Sequence, residues 1–237
     1  MIESKQRRRN ISTALVLVLG LLLSGSTPQT HAGCNSSIFP PNSRPYGLSY
    51  GEWSAKWWQW ALSIPAATNP LLDDDGANCD EGQAGPVWFL AGTLGGSAVR
   101  TCTIPTGKSL FFPILTTFSA CDPPPAECTS VEEMREALAA MMDDPLELET
   151  IIDGVRVQAL PSYRATSPVF ALTLPEDNVF GVPAGTYAPA VSDGYWLMVK
   201  PLSPGPHIIY FKGTAADGFT TEVTYFLTVV PGRKPPH

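Results

Sequence analysis

The alternation of apolar and polar residues is most regular between Tyr46 and Pro65, where the sequence is YGLSYGEWSAKWWQWALSIP. At about 100° per residue, one helical face collects most of the apolar side chains. These side chains are Tyr50, Trp53, Trp57, Trp60, Ala61 and Ile64. Ser49 and Glu52 have the spacing of a capping box, and Pro65 stops the pattern. The sequence predicts an amphipathic helix over residues 49–63.

This helix has three interpretations, which differ in where they place the indole rings of Trp53, Trp57, Trp58 and Trp60. A core helix would bury the indoles, each of which removes roughly 150–250 Å² from water. A ligand-binding platform, for sugar rings or another partner, would leave them exposed as a cluster. A membrane-interface helix would place them among lipid headgroups, although the polar face offers only Lys56 as a cation.

A second helix is predicted over residues 130–142, with a capping box at Thr129–Glu132 or Ser130–Glu133 and Pro145 after its end. Most other apolar stretches are short, β-rich and separated by glycine or proline turns. They cover residues 87–92, 99–104, 110–115, 168–174, 195–202, 207–213 and 221–230, with a hairpin turn at Asp153–Gly154. This pattern predicts a mainly β, antiparallel β-sandwich or jelly-roll-like single domain with two helices.

Residues 1–32 have the features of a secretory signal peptide. Lys5 and Arg7–Arg9 precede the apolar run Ala14–Leu23, which is too short to span a bilayer. Cleavage after Ala32 would leave an extended arm over residues 33–45, a β-rich domain over 46–230 and a frayed tail over 231–237. We therefore expect a secreted or periplasmic protein with no transmembrane segment after signal removal.

A lipid anchor at Cys34 is the less favoured alternative for export. His31 occupies the position, three residues before the cysteine, where a lipoprotein signal usually has leucine.

Charge narrows the range of partners. The signal contains four of the 15 basic residues and one of the 22 acidic residues, which leaves a net charge of −10. An acidic surface without a basic run argues against nucleic acid and anionic membranes as partners. A carbohydrate or a component of the cell envelope is the partner we expect.

Five cysteines follow the signal, in an export route where disulfides persist. The preferred pairing is Cys79–Cys102 and Cys121–Cys128, with Cys34 left over, although spacing alone leaves other pairings open. The absence of a C-x-x-C sequence argues against a metal site built from these cysteines.

One acidic stretch is a candidate calcium site. Asp73, Asp75 and Asp80 lie in a turn-rich loop, and calcium prefers several oxygen ligands from such a loop. The stretch lacks the spacing and closing glutamate of an EF-hand, so a solvated acidic turn is the alternative. No other cofactor is indicated.

Catalytic motifs are weak. GLSYG at Gly47–Gly51 matches a nucleophile elbow, with Asp193 and His207 downstream, but no strand is predicted before Ser49. His207 is more readily a structural histidine at a strand start. A glycosidase would need two opposed carboxylates, and Glu52, Glu176, Asp177 and Glu222 are candidates that the sequence does not pair.

The motifs YGLSYGEWSAKWWQW and GQAGPVWFLAG, with RTCTIPTGKSLFFPI, YRATSPVFALTLPEDNVFG and LSPGPHIIYFKG further along, are similar to those of a group of secreted bacterial proteins described only as hypothetical. The resemblance covers nearly all of residues 46–230. It implies a secreted bacterial protein with one folded unit, and it carries no activity or catalytic residue.

The leading expectation for function is a non-catalytic binding or surface-interaction module, an inference that rests partly on analogy with other exported β-rich domains. A secreted carbohydrate-active hydrolase with a carboxylate pair and a purely structural envelope protein are the alternatives.

Overall fold

The computed structural model describes residues 37–122 and 128–231. Over these residues the chain forms two α-helices and ten strands in two sheets. The helices are α1 (Tyr50–Ser63) and α2 (Val131–Met142). The strands are β1 (Val87–Phe89), β2 (Gly96–Pro105), β3 (Ser109–Ala120), β4 (Glu147–Ile152), β5 (Val155–Arg156), β6 (Arg164–Thr166), β7 (Phe170–Leu174), β8 (Gly185–Val199), β9 (Gly205–Thr214) and β10 (Thr220–Val230).

Two five-stranded sheets pack together as a sandwich. Sheet A has the order β1-β3-β8-β6, with β7 also paired to β8, and sheet B has the order β2-β10-β9-β4-β5. The predicted mainly β, sandwich-like domain is confirmed, with one correction. β1–β3 and β2–β10 are parallel pairs, so both sheets are mixed. The chain leaves sheet A after β1, forms β2 in sheet B, and returns to sheet A at β3 running in the direction of β1.

The core between the sheets follows the predicted alternation. Alternate residues of β10 point inward, and Val223, Tyr225 and Leu227 among them are buried. Phe112 of sheet A stacks on Phe211 of sheet B, with ring centroids 4.9 Å apart. Such aromatic pairs contribute stability beyond the area they bury.

Helix α1 covers the other face of sheet A. Its Trp57 ring lies 5.4 Å from the ring of Trp196, which stacks on Phe111 at 5.2 Å with an interplanar angle of 2°. The hydroxyl groups of Ser54 and Ser192 form a hydrogen bond of 3.2 Å beneath the helix. The helix is thus both packed and hydrogen-bonded to β8.

Both helices begin with the capping boxes that the sequence predicts. The side chain of Ser49 accepts a hydrogen bond from the backbone N–H of Glu52, whose carboxylate accepts one from the backbone N–H of Ser49. In α2 the pair is Ser130–Glu133. Neither helix in the described part of the chain is long and apolar enough to cross a membrane.

Helix α2 packs against the end of β3 and the start of β8, on the face of sheet A opposite to α1. Met134 and Leu138 bury their side chains against Val191 and Cys121 in a small second core. Because successive residues of a strand point to opposite faces, α1 contacts Ser192 and Trp196 of β8, whereas α2 contacts Val191 and Tyr195.

The N-terminal arm is part of the sandwich from its first described residue onward. Ile38 is buried and pairs with Val199 in an antiparallel bridge, and the backbone N–H of Phe39 donates to the carbonyl of Met198. The predicted signal (1–32), Cys34 and residues 232–237 of the predicted tail lie outside the described residues.

Close contact between α1 and β6 requires glycine at position 51. A Cβ atom built on Gly51 would overlap the backbone carbonyl of Thr166, which cannot rotate away as a side chain could. This contact fixes the height of the helix above the strand.

Replacement of Gly51 by alanine tests this contact. Helix propensity alone would stabilise α1 by about 1 kcal/mol. We expect instead a net loss of about 1–3 kcal/mol, because overpacking against backbone forces the helix to shift. Urea unfolding followed by far-UV circular dichroism measures the change, with Lys56→Ala on an exposed position of the same helix as control. A gain in stability for Gly51→Ala would show that the helix is free to move.

Candidate binding site at the tryptophan-rich helix

The four tryptophans proposed as a ligand platform are largely buried. Trp53, Trp57, Trp58 and Trp60 are each at most 7% exposed. Trp58, which the helical pattern places at the edge of the apolar stripe, packs on Phe118 with ring centroids 4.4 Å apart. The burial favours the core-helix interpretation, because an exposed platform needs open ring faces.

Two of the four still reach a surface groove beside α1. The groove has a volume of about 400 Å³ and lies between α1 and the loop Gly82–Pro86. Its lining consists of Trp53, Lys56, Gln59, Trp60, Gly82, Ala84, Gly85, Pro86 and Phe89. These residues come from two sequence motifs that begin at Tyr46 and Gly82, 36 positions apart. In the fold, the two motifs form the two walls of one groove.

The loop wall is braced by the side chain of Gln83. Its Nε2 donates to the carbonyls of Cys79 (3.2 Å) and Phe89 (2.8 Å), and its Oε1 accepts from the backbone N–H of Phe89 at 2.9 Å. The amide therefore bonds to β1 much as a neighbouring strand would, and it protects the edge of sheet A. Sequence reasoning missed Gln83, because its partners are set by the folded loop.

Three further contacts hold the same loop. The indole N–H of Trp60 donates to the carbonyl of Glu81 at 2.9 Å, and Lys108 donates to the carbonyl of Gly85. The disulfide Cys79–Cys102 ties the start of the loop to β2. A groove with walls fixed before binding loses little conformational entropy when a ligand enters.

Glycine is required where the loop meets the helix. Gly82 has a φ of +63°, and a Cβ atom there would lie 3.2 Å from the indole ring of Trp60. The left-handed backbone and the close approach both favour glycine at this position.

The groove combines apolar rings with few polar groups. The indole N–H groups point away from it toward backbone carbonyls, since Trp53 donates to Pro45 at 3.0 Å and Trp60 donates to Glu81. Lys56 and Gln59 supply an ammonium and an amide, and Gln59 already donates to Ala171 at 3.0 Å. None of the described lining residues is acidic. Such a surface can bind a ligand but offers no carboxylate pair for hydrolysis.

The predicted disulfides are confirmed. Cys79–Cys102 and Cys121–Cys128 have Cα–Cα distances of 5.9 and 5.3 Å.

The proposed calcium loop is organised by hydrogen bonds. Oδ1 of Asp73 accepts from the backbone N–H groups of Asp75 (3.1 Å) and Gly76 (2.8 Å), and Oδ2 accepts from Asn78 at 2.8 Å. Burial raises the pKa of Asp73, but these three donors outweigh it and the net pKa is lowered. Within residues 37–122 and 128–231, neither Asp73, Asp75 and Asp80 nor any other acidic, histidine or cysteine side chains form a cluster of three suited to a metal.

A buried arginine, Arg100, ties this loop to the sandwich. Arg100 is only 1% exposed, and its Nε donates to the carbonyl of Asp73 at 2.6 Å. Its Nη1 donates to the carbonyls of Ala91 and Gly92 and to the hydroxyl of Tyr225. The sequence pattern indicates that Arg100 is buried, because Arg100 is in phase with the inward-facing Cys102 and Ile104 of β2.

The residues of the weak nucleophile motif each have a separate partner. Ser49 caps α1, Asp193 accepts from Arg164 at 2.7 Å, and His207 pairs with Asp153. The predicted preference for a capping serine is therefore supported by its hydrogen bonds.

His207 does have an acid and a hydroxyl nearby. Its Nδ1 lies 2.7 Å from Oδ2 of Asp153, and its Nε2 lies 3.4 Å from Oγ and 2.9 Å from the backbone oxygen of Ser203. Because both ring nitrogens face acceptors, the protonated ring is favoured. A doubly protonated ring has no free lone pair with which to take the serine proton.

Another cleft lies at the C-terminal end of α2 and has a volume of about 680 Å³. Its Arg164 donates from Nε and Nη2 to Asp193 and from Nη1 to Asp143, over the ring of Tyr195. The hydrogen bond to Asp193 raises the pKa of Arg164, although burial opposes this. Because both carboxylates bond to the same arginine, the interaction links α2, β6 and β8 and is consistent with a structural role.

Comparison with family models, with curated proteins and with solved structures found no match to this chain.

The His207 contact predicts a specific pH dependence of stability. Burial lowers the pKa of His207, but the hydrogen bonds to Asp153 and Ser203 raise it by more, so the net pKa is above its usual 6.5. The protonated ring thus stabilises the fold fully below about pH 6.5, and this contribution is lost as the pH rises through the folded-state pKa.

We therefore expect the stability advantage of the wild type over His207→Gln to shrink between pH 5.5 and 8.5. Urea unfolding at both pH values measures it, and other titrating groups cancel in the comparison. Asp153→Asn should reduce the same pH dependence. Parallel stability curves for wild type and His207→Gln would contradict the assignment.

Proposed function

We propose that this chain is a secreted, non-catalytic binding protein that holds a saccharide in the groove between α1 and the loop Gly82–Pro86. The observation that carries the proposal is the groove itself, a preformed site with aromatic edges and few polar groups.

The chemistry of the lining suits a sugar ring. A saccharide has apolar C–H faces that can lie against the edges of Trp53, Trp60 and Phe89. Its hydroxyl groups need nearby donors and acceptors, and Lys56, Gln59 and the exposed loop residue Ala84 can supply them. The Lys56 ammonium would add a charge-assisted contact to a sugar that bears a carboxylate.

Secretion is supported by the two disulfides, which persist in oxidising compartments, and by the signal-like residues 1–32. Membership of the secreted bacterial group remains part of the same proposal.

A panel of neutral and uronic oligosaccharides, followed by titration calorimetry on the best ligand, tests the function. We expect saturable binding that Ala84→Trp weakens at least tenfold, because Ala84 is exposed and the indole fills the groove without entering the core. Lys56→Ala should weaken binding of a uronic ligand more than of a neutral one.

Arg156→Ala is the matched control, since it also removes one cation but lies on β5 of sheet B. Binding should be unchanged in this variant. A reducing-end assay on the same samples should detect no cleavage. Unchanged binding by Ala84→Trp would exclude the groove as the binding site. Steady release of reducing ends would show that the protein is a hydrolase and not a non-catalytic binding protein.

A further inference from the structure

A second cavity lies beside the C-terminal half of α1, outside the groove and sharing none of its lining residues. It has a volume of about 330 Å³, within the lower range of small-molecule sites. The described residues that line it are Leu62, Phe118, Ser119, Ala120, Asp122, Leu172, Leu174, Phe180, Val182 and Tyr187. We propose that this Phe118 cavity binds the hydrocarbon chain of a small amphiphile that carries a protonated amine.

The floor of the Phe118 cavity is apolar and built from the core. Leu62, Leu172 and Leu174 are all buried in the main hydrophobic cluster. The hydroxyl of Tyr187 is already used, since it donates to the carbonyl of Pro183 at 2.8 Å. A hydrocarbon chain placed there gains burial without leaving a polar group of the floor unpaired.

The rim exposes two large apolar side chains. Phe180 is 43% exposed and Val182 is 36% exposed, and both residues belong to a short loop after β7. These side chains are the surface that a bound chain would cover.

The buried side chain of Asn178 holds this loop in place. Its Nδ2 donates to the carbonyls of Pro175 (2.8 Å) and Val182 (2.7 Å). Its Oδ1 accepts from the backbone N–H groups of Phe180 (3.2 Å) and Val182 (3.3 Å). Four hydrogen bonds thus fix the exposed rim in an open arrangement before any ligand arrives.

Charge selects the head group. Asp122 is the only charged residue among the described residues of the lining, and it is exposed. The chain as a whole has a net charge of −7. A protonated amine at the mouth would be attracted to Asp122, whereas a carboxylate or phosphate head would be repelled.

Volume selects the chain length. If each methylene group takes about the ~30 Å³ that a water molecule occupies in the liquid, the cavity holds roughly ten groups. Decylamine is therefore a fitting probe, and decanoate is its counterpart with the opposite charge.

The site has its own optical reporter. The ring of Phe118 contacts Trp58 at 4.4 Å on one side and Phe180 at 5.9 Å on the other. A ligand that touches Phe118 should therefore change the emission of Trp58.

Calorimetry below the micelle concentration, at pH 7 and low salt, tests the proposal on the full exported chain. We expect one decylamine per chain, bound at least tenfold more tightly than decanoate. Asp122→Asn should reduce this preference below threefold, while Asp74→Asn, an exposed carboxylate elsewhere, should leave it unchanged. Ala120→Phe, which narrows the cavity, should abolish binding, and Ala84→Trp in the groove should have no effect.

The proposal is overturned if decylamine shows no saturable binding, if decanoate binds as well, or if Asp122→Asn keeps the tenfold preference. Should Ala120→Phe fail to fold, Trp58→Phe replaces it. Loss of the decylamine-induced emission change in that variant supports the site, and retention of the change places the ligand elsewhere.

Discussion

The packing of α1 against Phe111 and Trp196 of sheet A is the interaction on which the rest of the structure depends. Trp57 contacts Trp196, Trp53 contacts Phe111, and those two sheet residues stack on each other. Trp53 and Trp57 also donate their indole N–H groups to the backbone of other segments, at the carbonyls of Pro45 and Leu90 respectively. The apolar rings therefore provide burial while their polar edges fix the loops on either side of the helix.

Both candidate sites follow from this arrangement. On one flank of α1, Trp60 holds the backbone of Glu81 and Gly82 close to the helix, which leaves the groove between helix and loop. On the other flank, Leu62 forms part of the floor of the Phe118 cavity. A shift of the helix over sheet A would alter both sites together, which is why the tight contact at Gly51 matters for function as well as stability.

Local features of the fold could be predicted from the sequence. Capping boxes depend on residues three positions apart, and the apolar period of a helix or strand needs only its own segment, so α1, α2 and β10 were predictable. Partners set by the tertiary fold were not. Gln83 bonds to β1, and His207 meets Asp153 across 54 positions. The parallel pairs arise because the chain changes sheets between β1 and β3, which no local pattern encodes.

Acrylamide quenching of tryptophan emission in the folded protein measures whether α1 is a core helix whose indoles pack on sheet A. All six tryptophans are at most 7% exposed. We expect blue-shifted emission and quenching several-fold weaker than in the urea-unfolded chain. Red-shifted emission with quenching as strong as in urea, while circular dichroism still shows the native fold, would contradict it.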